Sequence, residues 1–388
     1  MSEAQKPIRR VLTTVDGSGR SSVAMDGPAP NTKAPAMGSG RRYTDIWVWE
    51  KAPLSLAAPS DGGNIPYVFP GPAAGGHIRV VQANRPPPEL DLKRDAEFVA
   101  PHDPKVVMPS GRMWDRGGNN AFTSAMHKTQ TVDYGILLAG ERILVLDDGD
   151  LPMRPGDVVI QVGAFHAWAS PRLSGLMAFD MIGAEFVDGE AGLGQGGDLP
   201  LGVPPGWTPP PGVEPVRRIV TVDRKPGVSS VVSDGPAPDI RLDPARPGFA
   251  ATRLWVTDRT PARIVFETLQ LPHTIEPPKN GSVMRVLNLP PDKSWQGKVG
   301  EKEVRAYFAA MGSPGASTYA ANARHPYMQR TKTFDFCFVL SGEVLLILDD
   351  GEVTLSAGDC VVNRGGNHAW SNRSDTPARV YVASHDAE

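Results

Sequence analysis

Three side chains that could perform chemistry stand out in this sequence: His127, Asp133 and His166. His127 and Asp133 lie in a stretch with strand-like alternation and are separated by an even number of positions, so their side chains point to the same face. His166 follows a later apolar run and could reach that face. Imidazole and carboxylate groups placed together can bind a divalent cation or exchange protons with a substrate. Both kinds of chemistry are open at this point.

A purely structural role for Asp133 is the alternative. A carboxylic acid and a neighbouring threonine inside a β-structure can form a buried hydrogen-bonded pair with no metal nearby. The carboxylate recurs as Asp335 in a later, similar segment that lacks a histidine corresponding to His127. Asp133 could therefore hold strands or a ligand together instead of binding a metal.

An internal repeat organises the chain. The segment from Met126 to Ser170 aligns without a gap on the segment that begins at Met328, a shift of 202 residues, and 19 of the 45 positions are identical. Weaker similarity lies upstream, where the motif DGPAP occurs at Asp26 and again at Asp234. Repetition over nearly the whole chain indicates a duplicated domain. We predict an N-terminal domain over 1–188, a Gly/Pro-rich linker over 189–215 and a C-terminal domain over 216–388.

Within each copy, short aliphatic runs alternate with turn signals. Asp148-Gly149 separates two such runs, and Pro155-Gly156-Asp157 opens the next one. An Asp-Gly pair between apolar runs is typical of a tight hairpin, and almost no amphipathic helix interrupts the pattern. With 41 Gly and 39 Pro among 388 residues, the composition also fits many short strands. The prediction is an all-β protein of two antiparallel barrels or jelly rolls.

These motifs resemble those of the cupin superfamily. Its first motif has a His-x-His pair, an acid and a glycine, and its second has a Gly-Asp turn followed by Gly-x-x-His. The matching positions of the first copy are His127, Thr129, Asp133, Gly140, Gly156 and His166. The resemblance implies two tandem cupin barrels, each a double-stranded β-helix, that form an intramolecular pseudo-dimer.

The resemblance also implies a metal site in the first barrel, with His127, Asp133 and His166 as ligands and Thr129 in place of the second family histidine. Two imidazoles and one carboxylate suit non-haem Fe(II), which we expect ahead of Mn, Ni or Zn as the single divalent ion. The second copy has Gln329, Thr331, Asp335 and His368 at these positions, so we expect its metal site to be degraded.

Other residues near the predicted site are candidates for substrate contact. Trp168 lies two positions after His166 and could form an aromatic wall, although a core-filling tryptophan fits the pattern equally well. Thr129 and Tyr134 are further candidates, and alternation turns Tyr134 away from the cavity. The Gly-rich segment 110–122 could close over the barrel mouth.

Charge and hydropathy narrow the function. The net charge of -3, without long basic runs, gives no footprint for nucleic acid or a membrane surface, so a small molecule is the expected partner. Without a signal-like or membrane-spanning stretch, we expect a soluble cytoplasmic protein, either monomeric or homodimeric. The leading hypothesis is a metal-dependent dioxygenase or decarboxylase acting on a small organic acid or aromatic compound. Two alternatives remain: a metal-free cyclase, isomerase or dehydratase with Asp133 and His166 as acid and base, and a non-catalytic binder of small ligands.

Overall fold

The structure is a computed structural model, and it describes residues 6–33, 40–57, 60–66, 69–89, 91, 97–103, 105–170, 172–186, 202–225 and 227–388. The regular secondary structure of these residues is mostly β-strand. Among them is one α-helix, α1 (Glu301–Ala310), which buries Val304, Tyr307 and Phe308 and which the sequence pattern did not predict. The all-β prediction is confirmed.

The strands of the first copy are β1 (Arg9–Val15), β2 (Ser21–Pro28), β3 (Asn31–Lys33), β4 (Arg41–Trp49), β5 (Gly76–Ala83), β6 (Val106–Val107), β7 (Met113–Asp115), β8 (His127–Thr129), β9 (Thr131–Gly140), β10 (Arg142–Leu146), β11 (Gly149–Met153), β12 (Val158–Val162), β13 (Ala167–Ala169) and β14 (Gly175–Glu185).

The strands of the second copy are β15 (Arg217–Lys225), β16 (Val228–Pro236), β17 (Asp239–Leu242), β18 (Ala250–Thr257), β19 (Ala262–Arg263), β20 (Ser282–Leu289), β21 (Thr333–Ser341), β22 (Glu343–Leu348), β23 (Glu352–Ser356), β24 (Cys360–Arg364), β25 (His368–Ser371) and β26 (Ala378–Asp386).

Each barrel has one large sheet and one small sheet, and a further three-stranded sheet, β6-β7-β8, lies in the first copy. In the first barrel, the large sheet has the order β16-β15-β12-β9-β14-β5-β4-β3 and faces the small sheet β11-β10-β13. In the second barrel, the large sheet has the order β17-β18-β20-β26-β21-β24-β1-β2 and faces the small sheet β23-β22-β25. Strands alternate between inward and outward side chains, so each pair of sheets encloses its own apolar interior.

The two copies exchange their first strands. The hairpin β1–β2 of the first copy joins the second barrel, where β1 runs parallel to β24, and the hairpin β15–β16 of the second copy joins the first barrel, where β15 runs parallel to β12. Val11 of β1 packs in the interior of the second barrel, and Ile219 of β15 packs in the interior of the first. The large sheets therefore do not follow the boundaries of the sequence repeat.

An ion pair present in both halves holds each exchanged hairpin. Arg9 contacts Asp26 on its own hairpin and Asp359 of the second barrel, each at 2.8 Å. Arg217 repeats this arrangement with Asp234 at 2.6 Å and with Asp157 of the first barrel at 2.9 Å. The repeated DGPAP motif supplies Asp26 and Asp234, so the faint upstream similarity marks the exchanged element.

A shared apolar core joins the outer faces of the two large sheets. Trp47 packs on Phe334 with ring centroids 5.0 Å apart, and Trp49 stacks on Phe336 at 5.5 Å. Buried polar pairs also cross this core: Nε2 of His385, for example, lies 2.7 Å from Oδ2 of Asp180. Packing between barrels within one chain gives the predicted pseudo-dimer.

The predicted domain boundaries remain sequence-based predictions. Residues 187–201, which include the end of the predicted N-terminal domain and most of the predicted linker, lie outside the described residues. Residues 202–216 carry no helix or strand. Among the described helices, none is long and apolar enough to cross a membrane.

The strand exchange predicts that core substitutions act on the barrel of the opposite copy. Val11→Ala should destabilise the second barrel by about 2 kcal/mol, and Ile219→Ala should destabilise the first by about 3 kcal/mol, because each removes buried methyl groups. Native-state hydrogen exchange checks this by comparing β9 and β14 with β21 and β26. If Val11→Ala accelerated amide hydrogen exchange only in the first barrel, or Ile219→Ala only in the second, the result would contradict the swapping of the hairpins.

Candidate functional site

A cavity of about 290 Å³ lies inside the first barrel. This volume is at the small end of the range of about 300–1,000 Å³ usual for small-molecule sites. Its walls come from the inward positions of β4, β5, β9, β12 and β14, and Met113 and Asp115 of β7 contribute one side. The segment 110–122 thus borders the cavity through Met113, Asp115 and Asn119, and its closing over the barrel mouth stays a prediction.

The histidines His127 and His166 lie side by side on the wall of this cavity. Their backbones exchange two hydrogen bonds, of 2.9 Å and 2.8 Å, and their ring centroids lie 4.5 Å apart. Nδ1 of His127 lies 2.7 Å from the carbonyl oxygen of Ala125, and Nδ1 of His166 lies 2.9 Å from that of Ala164. A carbonyl can only accept, so Nδ1 carries the proton in each ring and Nε2 carries the free lone pair.

The surroundings of both imidazoles favour the neutral form. Burial lowers the pKa of His127, and burial together with the neighbouring His127 lowers the pKa of His166 well below its ordinary value. A neutral imidazole whose other nitrogen donates to a backbone carbonyl is the form that binds metals in proteins.

Asp133 borders the same cavity from β9. Burial raises the pKa of its carboxyl group to about 7. The hydrogen bond from Thr131 lowers this pKa, and the negative charge of Asp180 raises it slightly further. Among the described residues, no partner is present for the buried atom Oδ1. A carboxyl group with a pKa near neutrality is well suited to take up and release a proton.

Of the three predicted ligands, the structure pairs the two histidines but does not group Asp133 with them. The two histidines pair closely, with both Nε2 lone pairs free for a cation. Within the described ranges, however, no three His, Cys, Asp or Glu side chains are grouped so as to hold a metal ion. The donor chemistry fits a divalent ion at the histidine pair, and Asp133 is not placed with them as a third ligand.

The predicted substrate contacts divide in the same way. Thr129 and Trp168 both border the cavity, where Oγ1 of Thr129 lies 2.7 Å from Oγ1 of Thr131 and Trp168 packs edge-on against Phe179. Tyr134 does not, so its predicted substrate contact is wrong. It points to the opposite face of β9, and its hydroxyl group lies 2.8 Å from Oγ of Ser282 in the second copy.

Two arginines of the cavity were missed by the sequence analysis. Arg142 is buried, and its Nη1 donates to Oγ of Ser170 at 2.8 Å. Arg41 borders the cavity from β4. The pKa of Arg142 is lowered to about 10, chiefly because Arg142 is buried and also because the positive charge of Arg41 lies nearby. Comparing the copies could have revealed Arg142, because its position in an apolar strand corresponds to Val344 in the second copy.

A residue of the second copy supports the histidine pair. Asp223 of β15 forms a buried ion pair of 2.9 Å with Lys128, the neighbour of His127, and its other oxygen accepts a 3.0 Å hydrogen bond from the backbone N–H of Phe165, the neighbour of His166. One carboxylate thus contacts both histidine-bearing segments, and strand exchange brings it there.

The corresponding site in the second barrel is closed by its own side chains. Nε2 of His368 lies 3.3 Å from Nε2 of Gln329, the residue that replaces the first histidine. Asn363 contacts both Nδ1 of His368 and the carboxylate of Asp335. The nitrogen that could bind a metal is therefore already engaged.

An arginine also fills the second barrel. The guanidinium of Arg246 lies 3.5 Å from the ring centroid of Tyr327 and 3.8 Å from that of Phe249, and it pairs with Asp243 at 2.7 Å. The cavity that remains beside it is about 30 Å³. Such a space is too small for an organic ligand.

Comparison with known proteins identifies the family. The Cupin domain family model matches residues 316–384, within the second copy. The cupin-domain-containing oxidoreductase srdB of Neurospora crassa is 32% identical over 148 residues, which cover 37% of this chain and 74% of that relative. The chain belongs to the cupin family. The membership predicted from the motifs is thus confirmed.

This cupin has further relatives of similar likeness. Phomopsin biosynthesis cluster protein D of Diaporthe leptostromiformis is 32% identical over 162 residues, which are 36% of this chain and 82% of that protein. Among solved structures, AerE from Microcystis aeruginosa aligns over 92% of this chain and 97% of its own, with a TM-score of 0.38 and 8% identity.

The raised pKa of Asp133 predicts a pH-dependent stability difference. Since the folded protein binds this proton with a pKa near 7 and an unfolded aspartate has one near 4, folded stability falls as the pH rises from about 4 to 7. Asp133→Asn should remove this fall, making the variant more stable relative to the wild type at pH 7.5 than at pH 4 by a few kcal/mol. Urea unfolding of chelator-treated protein at both pH values measures the difference, and parallel behaviour of the two proteins would contradict it.

Proposed function

We propose that the first barrel is the active site of a metal-dependent cupin enzyme that acts on a small organic acid or aromatic compound. The observation that carries the proposal is the pair of neutral histidines, His127 and His166, each with Nδ1 held by a backbone carbonyl and Nε2 free in the cavity. Fe(II) is the favoured ion, ahead of Mn, Ni or Zn, and a single divalent ion would occupy the site.

The names of relatives support an oxidative reaction. Cupin-domain-containing oxidoreductases of about 30% identity occur among the similar proteins. Within that class we propose dioxygenase chemistry, with dioxygen as the oxidant, and we keep decarboxylation with release of carbon dioxide as the other metal-dependent reaction. A bound ion at such a site polarises a carbonyl or carboxylate group of the substrate, or activates water or dioxygen.

The protein's own residues would bind the substrate and move protons. Phe179 and Trp168 offer an apolar wall for a substrate ring. Asp133, whose pKa lies near 7, can accept a proton from the substrate and return it at neutral pH without a large energetic penalty in either direction.

A metal-free acid–base reaction is the second candidate. It is favoured by the absence of a three-residue ligand group among the described residues and by the near-neutral pKa of Asp133. In that case Asp133 would be the base and His166 the partner acid, in a cyclase, isomerase or dehydratase. Activity would then survive a chelator.

Metal content distinguishes the two candidates. Protein purified without oxygen and reconstituted with Fe(II) should hold about one ion per chain, and His127→Ala should lose at least about ten-fold in affinity, because one of two protein ligands is removed. Elemental analysis after dialysis measures the stoichiometry, and calorimetry measures the affinity.

The second copy provides the matched control. Gln329→Ala changes the residue that corresponds to His127 and should leave the metal content unchanged. Equal loss in both variants would place the ion elsewhere, and wild-type protein that retains no ion after reconstitution would reject the metal-dependent function in favour of the acid–base reaction.

A further inference from the structure

The cavity of the first barrel contains more positive charge than its carboxylates balance. Three of its side chains are arginines, and one of them, Arg79, is paired with buried Asp45 at 2.8 Å. For Arg41 and Arg142, no carboxylate partner is found among the described residues. The neighbour of Arg142, Glu141, is itself paired with Arg172 at 3.1 Å.

Arg142 is poorly satisfied for a buried cation. Its side chain is 2% exposed, Nη1 donates to Ser170, and the buried Nε has no hydrogen-bond partner in the part of the chain that the structure describes. Burying a charge without a counterion is costly unless another group compensates for it. A bound anion would supply both the missing charge and the missing acceptor.

Arg41 stands near Arg142 at the same cavity. Its Nη2 donates to the carbonyl oxygen of Asn120 at 3.3 Å, which leaves the rest of the guanidinium free for a ligand. Two guanidinium groups that border one small cavity provide the forked donors that match the oxygens of a carboxylate.

The second copy lacks both arginines. Val344 corresponds to Arg142, and Phe249 corresponds to Arg41 by the offset that aligns Ile46 with Leu254. The copy that lost the first histidine has therefore also lost both cavity guanidiniums. If Arg41 and Arg142 only stabilised the barrel, we would expect the second barrel to keep them, because the two barrels share their framework. Their loss together with the first histidine favours a role in the site.

We propose that Arg142 and Arg41 form a carboxylate-binding subsite, so that the substrate of the first barrel is a small carboxylic acid with an apolar body. This proposal rests on the proposed function, which places the active site in the first barrel, and it adds the class of substrate. The carboxylate binds the two guanidiniums, and the apolar body packs against Phe179, Met181 and Trp168, which border the same cavity.

Binding of a simple aromatic acid tests the subsite. Benzoate should bind chelator-treated wild-type protein, and its neutral amide benzamide should bind at least about ten-fold more weakly, because it cannot pair with the arginines. Isothermal calorimetry measures both, with acetate and inorganic phosphate as further probes. Arg142→Val, which installs the residue of the second copy, should weaken benzoate binding about ten-fold or more without changing the binding of benzamide.

Two further variants keep the test decisive. Arg41→Gln lies at a less buried position and addresses the subsite even if Arg142→Val fails to fold, and exposed Arg154→Gln is the control for a general loss of positive charge. Equal benzoate affinity in the wild type, Arg142→Val and Arg41→Gln would overturn the proposal. Absence of benzoate binding, or binding of phosphate in its place, would overturn the assignment to carboxylic acids.

The same proteins separate this proposal from the metal-dependent function. If benzoate binds metal-free protein through the arginines but His127→Ala changes no metal content, the subsite stands and the metal-dependent function fails. If benzoate binds only after Fe(II) is added, and neither arginine substitution changes its affinity, the ion alone binds the acid and the proposed subsite is wrong.

Discussion

The parallel pairing of β1 with β24 and of β15 with β12 is the constraint on which the rest of the structure depends. A strand that ends a sheet exposes unpaired backbone groups, and each exchanged hairpin covers such an edge on the opposite barrel. The exchange also buries Val11 and Ile219 in the interior of the barrel they join. Neither copy can be removed without opening the sheet of the other.

The site in the first barrel inherits this dependence. Asp223 arrives on the exchanged strand β15 and contacts the segments on either side of the histidine pair, through Lys128 and through the backbone of Phe165. The second copy therefore supports the first even though its own site is closed. Duplication has kept a common framework and allowed the two interiors to diverge, one toward a cavity and the other toward a filled core.

The buried polar groups show how the interiors differ. In the first barrel, Oδ1 of Asp133, both polar atoms of the Gln161 amide and Nε of Arg142 lack hydrogen-bond partners among the described residues, and all three side chains border the cavity. In the second barrel, Gln329 and Asn363 engage His368. Unsatisfied groups lower stability unless a ligand completes them. The second barrel also contains such atoms, among them Oδ1 of Asp335, Nη2 of Arg246 and Nε2 of His325. The interiors therefore differ in space: about 290 Å³ is open beside the unsatisfied groups of the first barrel, against about 30 Å³ beside Arg246.

The sequence by itself determined the duplication, the all-β architecture, the cupin membership and the shared face of His127 and Asp133, because repeats, turn residues and strand alternation are local properties. The degraded second site was equally visible, in the change from histidine to Gln329. Only the tertiary structure decided which barrel each first hairpin completes, since either barrel presents an equivalent edge. It also placed Tyr134 in the core between the barrels, brought the distant Arg41 and Arg142 to one cavity, and filled the other cavity with Arg246. These depend on contacts between segments far apart in the chain, which no local pattern records.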